Sequence, residues 1–414
     1  MEKFCFKNKK VLITHPFIYE INGATNVAFE LASFLQSQQA NVTVFTYVYA
    51  NPAKEYFEKA GIKVDLVSNN TEHHLSDYDY IWIDSQTLPP SLLDDFADKK
   101  NMQKMPKLIF MHMAAHDYCP DEMPFLYGFE EEVSSLSLFV SEETFDFNNK
   151  YYEKTPENIG FYRNPASLEF YNSSSRKSEA PKKLLVVENS LCDELKALRP
   201  MLAEKNITID YLGRDGDRYE LVTGTMLSQY DAVITFGKTV QYCLVSNTPV
   251  YIYGTFGGPG WLTKDNFKEA EKNNFSGRGF TNKTAEEIVE ELLSGFEAAK
   301  EYQNDNHDSF CDDFLIDRVI PKIFAQADKS KKSIKPISQA RLSAYSSMLF
   351  LVHVCFDNRY CYDDMRAVND RLNKAVDDLK ARNAALEKAN REITSSRSVK
   401  ALVKLNSLVH RKKK

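Results

Sequence analysis

The chain has 414 residues, 43% of them hydrophobic, and a formal charge of −6. That length accommodates two or three domains, and the charge balance offers no general basic field for nucleic acid. No stretch reaches the ~18 uncharged apolar residues of a membrane-spanning helix, and seven scattered cysteines without a C-x-x-C pair read as reduced thiols rather than a disulfide framework.

The opening "MEKFCFKNKKVLITHPF" has an apolar run of only about four residues, too short for a secretory signal. A cytoplasmic setting is therefore expected. "KVLITH" reads as a buried strand, and "NVAFELASFLQSQ" carries apolar residues at helical spacing. "NVTVFTYV", "IKVDLVS", "YDYIWIDS", "KLIFMHM", "LSLFVS" and "IGFYRN" follow. Several are continuous runs of β-branched or aromatic residues, as in a parallel sheet covered on both faces. Residues 1–163 thus read as a doubly wound α/β domain.

Residues 164–183, "NPASLEFYNSSSRKSEAPKK", are polar and read as a linker. The alternation restarts over 184–327, with "KLLVVEN", "CDELKALRPML", "ITIDYLG", "YDAVITFG", "TVQYCLVS" and "PVYIYG". The fold class is α/β, with two Rossmann-like domains facing a cleft. Residues 328–364 hold a second linker and an apolar helix, "RLSAYSSMLFLVHVCF". Over 365–393, Met365, Leu372, Leu379, Leu386 and Ile393 fall seven apart, with Val368, Ala375 and Ala389 between them and Arg382 interrupting. That period predicts a coiled coil and a homodimer through it. The tail 394–414 carries seven Lys/Arg and no acid, and as a basic amphipathic helix it suits an anionic membrane surface.

Chemistry concentrates where "YDAVITFG" ends and a helix begins. Gly237 lets a backbone come close, Lys238 adds a charge, Thr239 adds a hydroxyl, and a helix start favours an anion. The next strand ends in the glycine-rich "TFGGPG", a second close approach of backbone to ligand. Neither a P-loop nor G-x-G-x-x-G is present. Asp77–Asp79, "DYD", precede a strand and read as solvated positions, His73-His74 read as surface, and no cluster has metal-ligand spacing.

"NGATNVAFELASFLQSQQANVTVFT", "LFVSEETFDF", "FYRNPA", "YDAVITFGKTVQYCLVSNTPVYIYGTFGGPGWL" and "NFSGRGF" together resemble a GT-B glycosyltransferase. The likeness covers about residues 10–325. It is most similar to bacterial enzymes that build surface or capsular polysaccharides. The resemblance implies a nucleotide-diphosphate sugar as co-substrate, no further cofactor and no metal. It implies donor contacts from Gly237, Lys238, Thr239, Phe256, Gly257 and Gly258, with Asn22 and Gly23 meeting the donor from the first domain. Gln241-Tyr242 stand where the broader retaining family often has E-x7-E, so the anomeric outcome stays open. In "IFMHMAAHDY", His112 and His116 lie at or just after a strand end, where an imidazole serves as general base. His116 is preferred for its place in the loop, and Asp117 is placed to orient it or act as base itself. The acceptor implied is a growing, lipid-linked glycan at the cytoplasmic membrane face. The alternatives are a nucleotide-sugar epimerase of the same fold and a catalytically silent scaffold.

Overall fold

In the computed structural model, which describes residues 4–115, 122–172, 178–396, 399–401 and 404–405, the first third of the chain builds a seven-stranded sheet. Strand β1 (Lys10–Thr14) leads through the short β2 (Phe17–Ile18) into helix α1 (Gly23–Ser37). Next come β3 (Asn41–Thr46), the short β4 (Val48–Tyr49), α2 (Ala53–Lys59) and β5 (Lys63–Leu66). Then follow β6 (Tyr80–Asp84), α3 (Pro90–Asp94), β7 (Lys107–His112) and α4 (Tyr127–Val133). The sheet closes with β8 (Leu136–Phe139), α5 (Glu142–Asn149) and β9 (Ile159–Phe161). The order is β5-β3-β1-β6-β7-β8-β9, all parallel. The central strands are buried on both faces, which is why their apolar residues run on without alternation.

The chain leaves through α6 (Leu168–Tyr171) and builds a second sheet. Its elements are β10 (Lys183–Val187), α7 (Asp193–Ala203), β11 (Thr208–Leu212), α8 (Gly224–Leu227) and β12 (Ala232–Thr235). After them come α9 (Lys238–Val245), β13 (Val250–Gly254) and β14 (Gly257–Trp261). The order is β11-β10-β12-β13-β14, parallel except for the final hairpin. Three helices follow: α10 (Phe267–Lys272), α11 (Ala285–Ser294), entered through a Thr284/Glu287 capping box, and α12 (Phe296–Phe314). Side chains of α9, α10 and the far end of α12 share one core of this sheet, and those of α7 and α11 share the other.

Helix α13 (Ile316–Asp328) departs from the sequence expectation. The pattern placed residues up to 327 with the second domain. The structure returns α13 to the first core, where its stripe Ile316, Ile320, Ile323, Phe324 and Ala327 is buried with β1 and β6 residues. Phe324 packs on Tyr80 at 4.9 Å and on Trp82 at 6.3 Å. The outgoing and returning segments clip together: Ala166 N–H donates to Phe314 O (2.7 Å) and Ile316 N–H to Ala166 O (2.9 Å).

Helix α14 (Gln339–Ser395) opens with Leu342, Leu349, Val352 and Phe356 buried. Phe356 stacks on Phe17 at 5.0 Å, and Tyr345 meets Phe129 at 5.7 Å. From Asp357 onward the helix belongs to a second compact unit. There the heptad residues Met365, Leu372, Leu379, Leu386 and Ile393 are between 59% and 68% exposed. Most of the basic tail, including Arg411–Lys414, lies outside the described residues. Among the described residues no helix is long and apolar enough to cross a membrane.

Candidate active site

In an open parallel sheet, ligands bind beyond the carboxyl ends of the strands, where the chain reverses its winding direction. In the first sheet that point lies between β1 and β6, and the residues just past or at those ends are His15 and Asp84. His15 Nδ1 lies 2.5 Å from Asp84 Oδ2, and both side chains are almost fully buried. An ionised carboxylate only accepts, so Nδ1 is the donor to Asp84, and in the neutral imidazole this tautomer leaves the lone pair on Nε2. Nε2 has no hydrogen-bond partner among the described residues. Burial pushes the Asp84 carboxyl up, and its bond to His15 opposes this. An oriented imidazole with a free Nε2 is the arrangement of a general base.

The polar edge continues along the sheet. Ser85 Oγ, next to Asp84, donates to Glu122 Oε1 (3.1 Å), which also accepts from Met113 and Ala114 N–H. His112, at the end of β7, sits between Glu122 (3.4 Å) and Glu130 (3.0 Å), with the Tyr152 hydroxyl 3.1 Å away. Burial alone would lower the imidazole's pKa, but the two carboxylates outweigh it and hold it at about 10. His112 is therefore wholly buried with both ring nitrogens against carboxylates, a setting that favours its protonated form. This corrects its expected role as a base: both nitrogens are already engaged. His116 and Asp117 lie outside the described residues. His73, expected at the surface, is 2% exposed and bonded to the Tyr78 hydroxyl, because Phe45 and Tyr78 pack around its ring.

The second sheet reverses between β10 and β12. Thr235 Oγ1 donates to Val187 O (2.8 Å), tying the two strand ends together. Gly237 then caps α9 with φ 62°, a left-handed value that favours glycine. A Cβ there would meet nothing within 4 Å, so the backbone at this helix start borders open space. Thr239 is the second residue of α9 and nearly buried. Beside them, Glu188 follows β10. It is 5% exposed, and its Oε1 accepts from the Thr255 hydroxyl (3.3 Å) while Oε2 has no partner among the described residues. Burial raises its pKa to about 7, against the pull of Thr255, with Asp215 adding to the rise.

Lys238 is expected on a phosphate, and the structure corrects this for its side chain. The ammonium lies 2.6 Å from Glu30 of α1 and donates to Asn164 O (3.1 Å) and Pro165 O (2.6 Å). One carboxylate and two carbonyls thus surround the ammonium. What Lys238 does is pin α9 to α1 and to the crossover between the sheets. Gly257 and Gly258 likewise have packing reasons. A Cβ would come within 2.5 Å of Thr281 O at the first and 2.1 Å of Ile252 O at the second. Phe256, at the hairpin tip, is half exposed beneath the Arg278 guanidinium.

The two strand edges face each other closely. Asn22 caps α1, its side chain accepting from Thr25 N–H (2.9 Å), and a Cβ on Gly23 would lie 3.5 Å from Lys238 Cβ. The starts of α1 and α9 therefore meet. Asn189, next to Glu188, donates to Ile21 O (2.9 Å), and the Tyr219 hydroxyl accepts from Ile21 N–H (2.8 Å). Arg214 pairs with Glu20, and Arg278 grips Glu143 through two bonds. The structure thus gathers Asn22, Gly23, Gly237, Lys238 and Thr239.

Sequence reasoning passed over His15, Asp84 and Glu188. Each is the polar residue that ends or follows an apolar strand run, "KVLITH", "YIWID" and "KLLVVE", and that was the available signal. No protein-family model and no curated protein matches the chain. Among solved structures it is similar to a glycosyltransferase from Rickettsia africae ESF-5, at 10% identity, 79% of this chain, all of that one, and a TM-score of 0.52. The pneumococcal O-GlcNAc transferase GtfA, in complex with UDP and GlcNAc, matches at 10% identity and a TM-score of 0.48, over 79% and 100% of the chains. The lipopolysaccharide outer core galactosyltransferase WaaB, apo form, gives 12%, 0.43, 78% and 99%. The likeness is one of fold, to glycosyltransferases of the GT-B class.

Proposed function

We propose that this chain transfers a sugar from a nucleoside-diphosphate donor to an acceptor hydroxyl, in the crevice between its two sheets. The observation that carries this reading is the facing pair of strand edges. One holds an oriented imidazole with a free Nε2; the other holds a glycine-capped helix start open to an anion. His15 Nε2 takes the proton of the acceptor hydroxyl as its oxygen attacks the anomeric carbon. Asp84 stabilises the imidazolium that forms. The bond from the anomeric carbon to the diphosphate breaks, and the leaving charge settles on the N–H groups that open α9. One base acting on one displacement inverts the anomeric centre. The GT-B likeness supports glycosyl transfer, and the donor's phosphates suit Gly237 and the backbone of Lys238 and Thr239.

The wider setting belongs to the same reading. The exposed heptad residues of 365–393 pair two copies as a coiled coil, since a lone helix leaves that seam in water. The basic tail, residues 394–414, holds the pair to an anionic membrane surface, where a lipid-linked glycan serves as acceptor. A thermal-shift screen of nucleotide sugars, followed by transfer assays with the stabilising donor, tests the proposal. Stabilisation by one donor family with release of its nucleoside diphosphate to an acceptor is expected. Binding without transfer to any acceptor favours a silent scaffold, epimerised donor favours the epimerase, and no binding refutes all donor-dependent readings.

A further inference from the structure

We propose that Glu122 is a positioning residue for His15: it clamps the turn that carries Asp84 and sets a second buried carboxylate behind the His15–Asp84 pair, so that the imidazole takes up the acceptor's proton more readily. The inference deepens the reading of His15 as the base and rests on it. Glu122 acts through Asp84, not on the ligand.

The turn after β6 has an unusual backbone. Ser85 and Gln86 follow Asp84 with φ 47° and 57°, two consecutive left-handed residues that are not glycine. Both are buried. Such conformations cost free energy and persist only where the surroundings hold them. Here the loop after β7 does the holding. Ser85 Oγ donates to Glu122 Oε1 (3.1 Å), Gln86 Nε2 to Met123 O (3.0 Å), and Leu126 N–H to Gln86 Oε1 (2.7 Å). On the other flank Thr14 Oγ1, one residue before His15, donates to Thr87 O (2.5 Å). Asp84 is thus presented to His15 by a turn fastened on both sides.

Glu122 is the centre of this fastening. It is buried, and its Oε1 also accepts from the Met113 and Ala114 N–H groups, while Oε2 faces His112 Nδ1 at 3.4 Å. That set of donors fits an ionised carboxylate, which only accepts. Ser85 Oγ lies 3.5 Å from Asp84 Oδ1 as well, so one hydroxyl, with a single proton to give, stands between two carboxyls. The field of Glu122 is felt at Asp84. Burial is the main cause that holds this carboxyl above its usual value; His15 opposes, and Glu122 adds to the rise. An anion so placed disfavours charge on Asp84 and favours it on the imidazole beside it. The remaining groups set the background. His112 and Glu130 form the far end of the cluster. The hydroxyls of Tyr127 and Tyr152, packed on His112, and of Tyr162, which senses Asp84, are pushed up chiefly by burial and stay neutral. The ring packed on His15 itself is the apolar Phe17.

The test uses the full chain with isotope-labelled histidine. Ring spectra, with His15 assigned by its loss in His15→Ala, follow its protonation against pH. Steady-state kinetics use the donor and acceptor found by the screen above. Glu122→Gln keeps the shape and removes the charge, and thermal melting checks its fold. In this variant the midpoint of the His15 titration falls by about one pH unit, and kcat falls about three- to tenfold with the donor KM within about twofold. Ser85→Ala keeps both charges and withdraws the hydroxyl between them, so the midpoint moves upward; it covers the case in which Glu122→Gln does not fold. Glu130→Gln separates the place of the charge from the loss of a buried acid. It lies on the far side of His112, and its variant lowers the melting temperature while leaving the midpoint in place. A midpoint unmoved within about 0.2 pH unit in both Glu122→Gln and Ser85→Ala overturns the inference and leaves the transfer reading standing. An equal shift in Glu130→Gln overturns it too, since it reports a general field. A wild type that transfers no sugar overturns the transfer reading, while the shifts still decide on Glu122.

Discussion

Replacing Lys238 by methionine separates the two roles open to this side chain. Methionine keeps the apolar stem and removes the ammonium. In the folded protein that ammonium lies 2.6 Å from Glu30, with the two side chains 5% and 8% exposed, and it also serves the carbonyls of Asn164 and Pro165. The variant leaves a buried carboxylate facing a thioether. Removing one partner of a buried pair costs about 3–5 kcal/mol, and at about 2–4 °C per kcal/mol the melting temperature falls by roughly 10 °C. Glu30→Gln in the same background removes the stranded charge and recovers part of the loss, with a coupling of about 2 kcal/mol in the double-mutant cycle. The deficit also depends on pH. Burial raises the Glu30 carboxyl above its ordinary pKa, with Lys238 opposing. Without Lys238 the folded pKa climbs further above the unfolded one. A group shifted that way contributes stability fully below its unfolded pKa and loses it as pH rises through its folded pKa. The deficit of Lys238→Met therefore shrinks as pH falls toward about 4.5. Calorimetric melts at several pH values, with nucleoside-diphosphate titrations on the same samples, read both effects. An unchanged melting temperature with weakened diphosphate binding would refute the reasoning and return Lys238 to the phosphates.

His15→Ala lowers turnover by about 10²–10⁴-fold with donor affinity nearly kept, and steady-state kinetics with an identified donor and acceptor checks it; turnover within about twofold removes His15 from catalysis. NMR of the product shows the anomeric centre inverted, and retention would rule out a single displacement assisted by His15. His112→Gln costs about 3–5 kcal/mol in denaturant melts, because two buried carboxylates lose their cation. His112's pKa is raised to about 10, so its contribution to wild-type stability is full below about 6.5 and fades as pH climbs toward 10, and a melt series from pH 6 to 10 that shows no such fading contradicts the assignment. Removing 365–414 turns a dimer into a monomer by light scattering, and removing 394–414 alone abolishes flotation with anionic vesicles; an unchanged mass or equal flotation refutes the corresponding part.

Much of the architecture was legible because it rests on local patterns. Continuous apolar runs such as "YIWID" and "KLIFMH" are what strands buried on both faces require, and both lie in the first sheet. The segment 164–183 holds the short α6 and leads into β10 at Lys183, and "GKT" does open a helix. Helix α13 was misplaced because its stripe, Ile316 to Ala327, states only that one face is buried. Which core it joins is decided by the clip between Ala166 and Leu315–Ile316, a contact between segments about 150 residues apart that leaves no local trace.

The site was harder to read because a reversal point is a property of strand order, and strand order is not written in any one segment. His15 and Asp84 lie 69 residues apart, and only the insertion of β1 between β3 and β6 makes them neighbours. Glu188 looks like any charged residue after a strand until Gly213 and Thr255 close around it. The misleading case is Lys238, a lysine beside a helix start whose charge and place in the resemblance both point to an anion. The helix start itself faces open space through Gly237, whereas the ammonium, at the end of a long stem, turns to Glu30 and the crossover carbonyls. Backbone and side chain of one residue thus face opposite demands. The backbone at the helix start borders open space, the place of the phosphates in the proposed reaction, and the side chain secures the two sheets whose edges meet there.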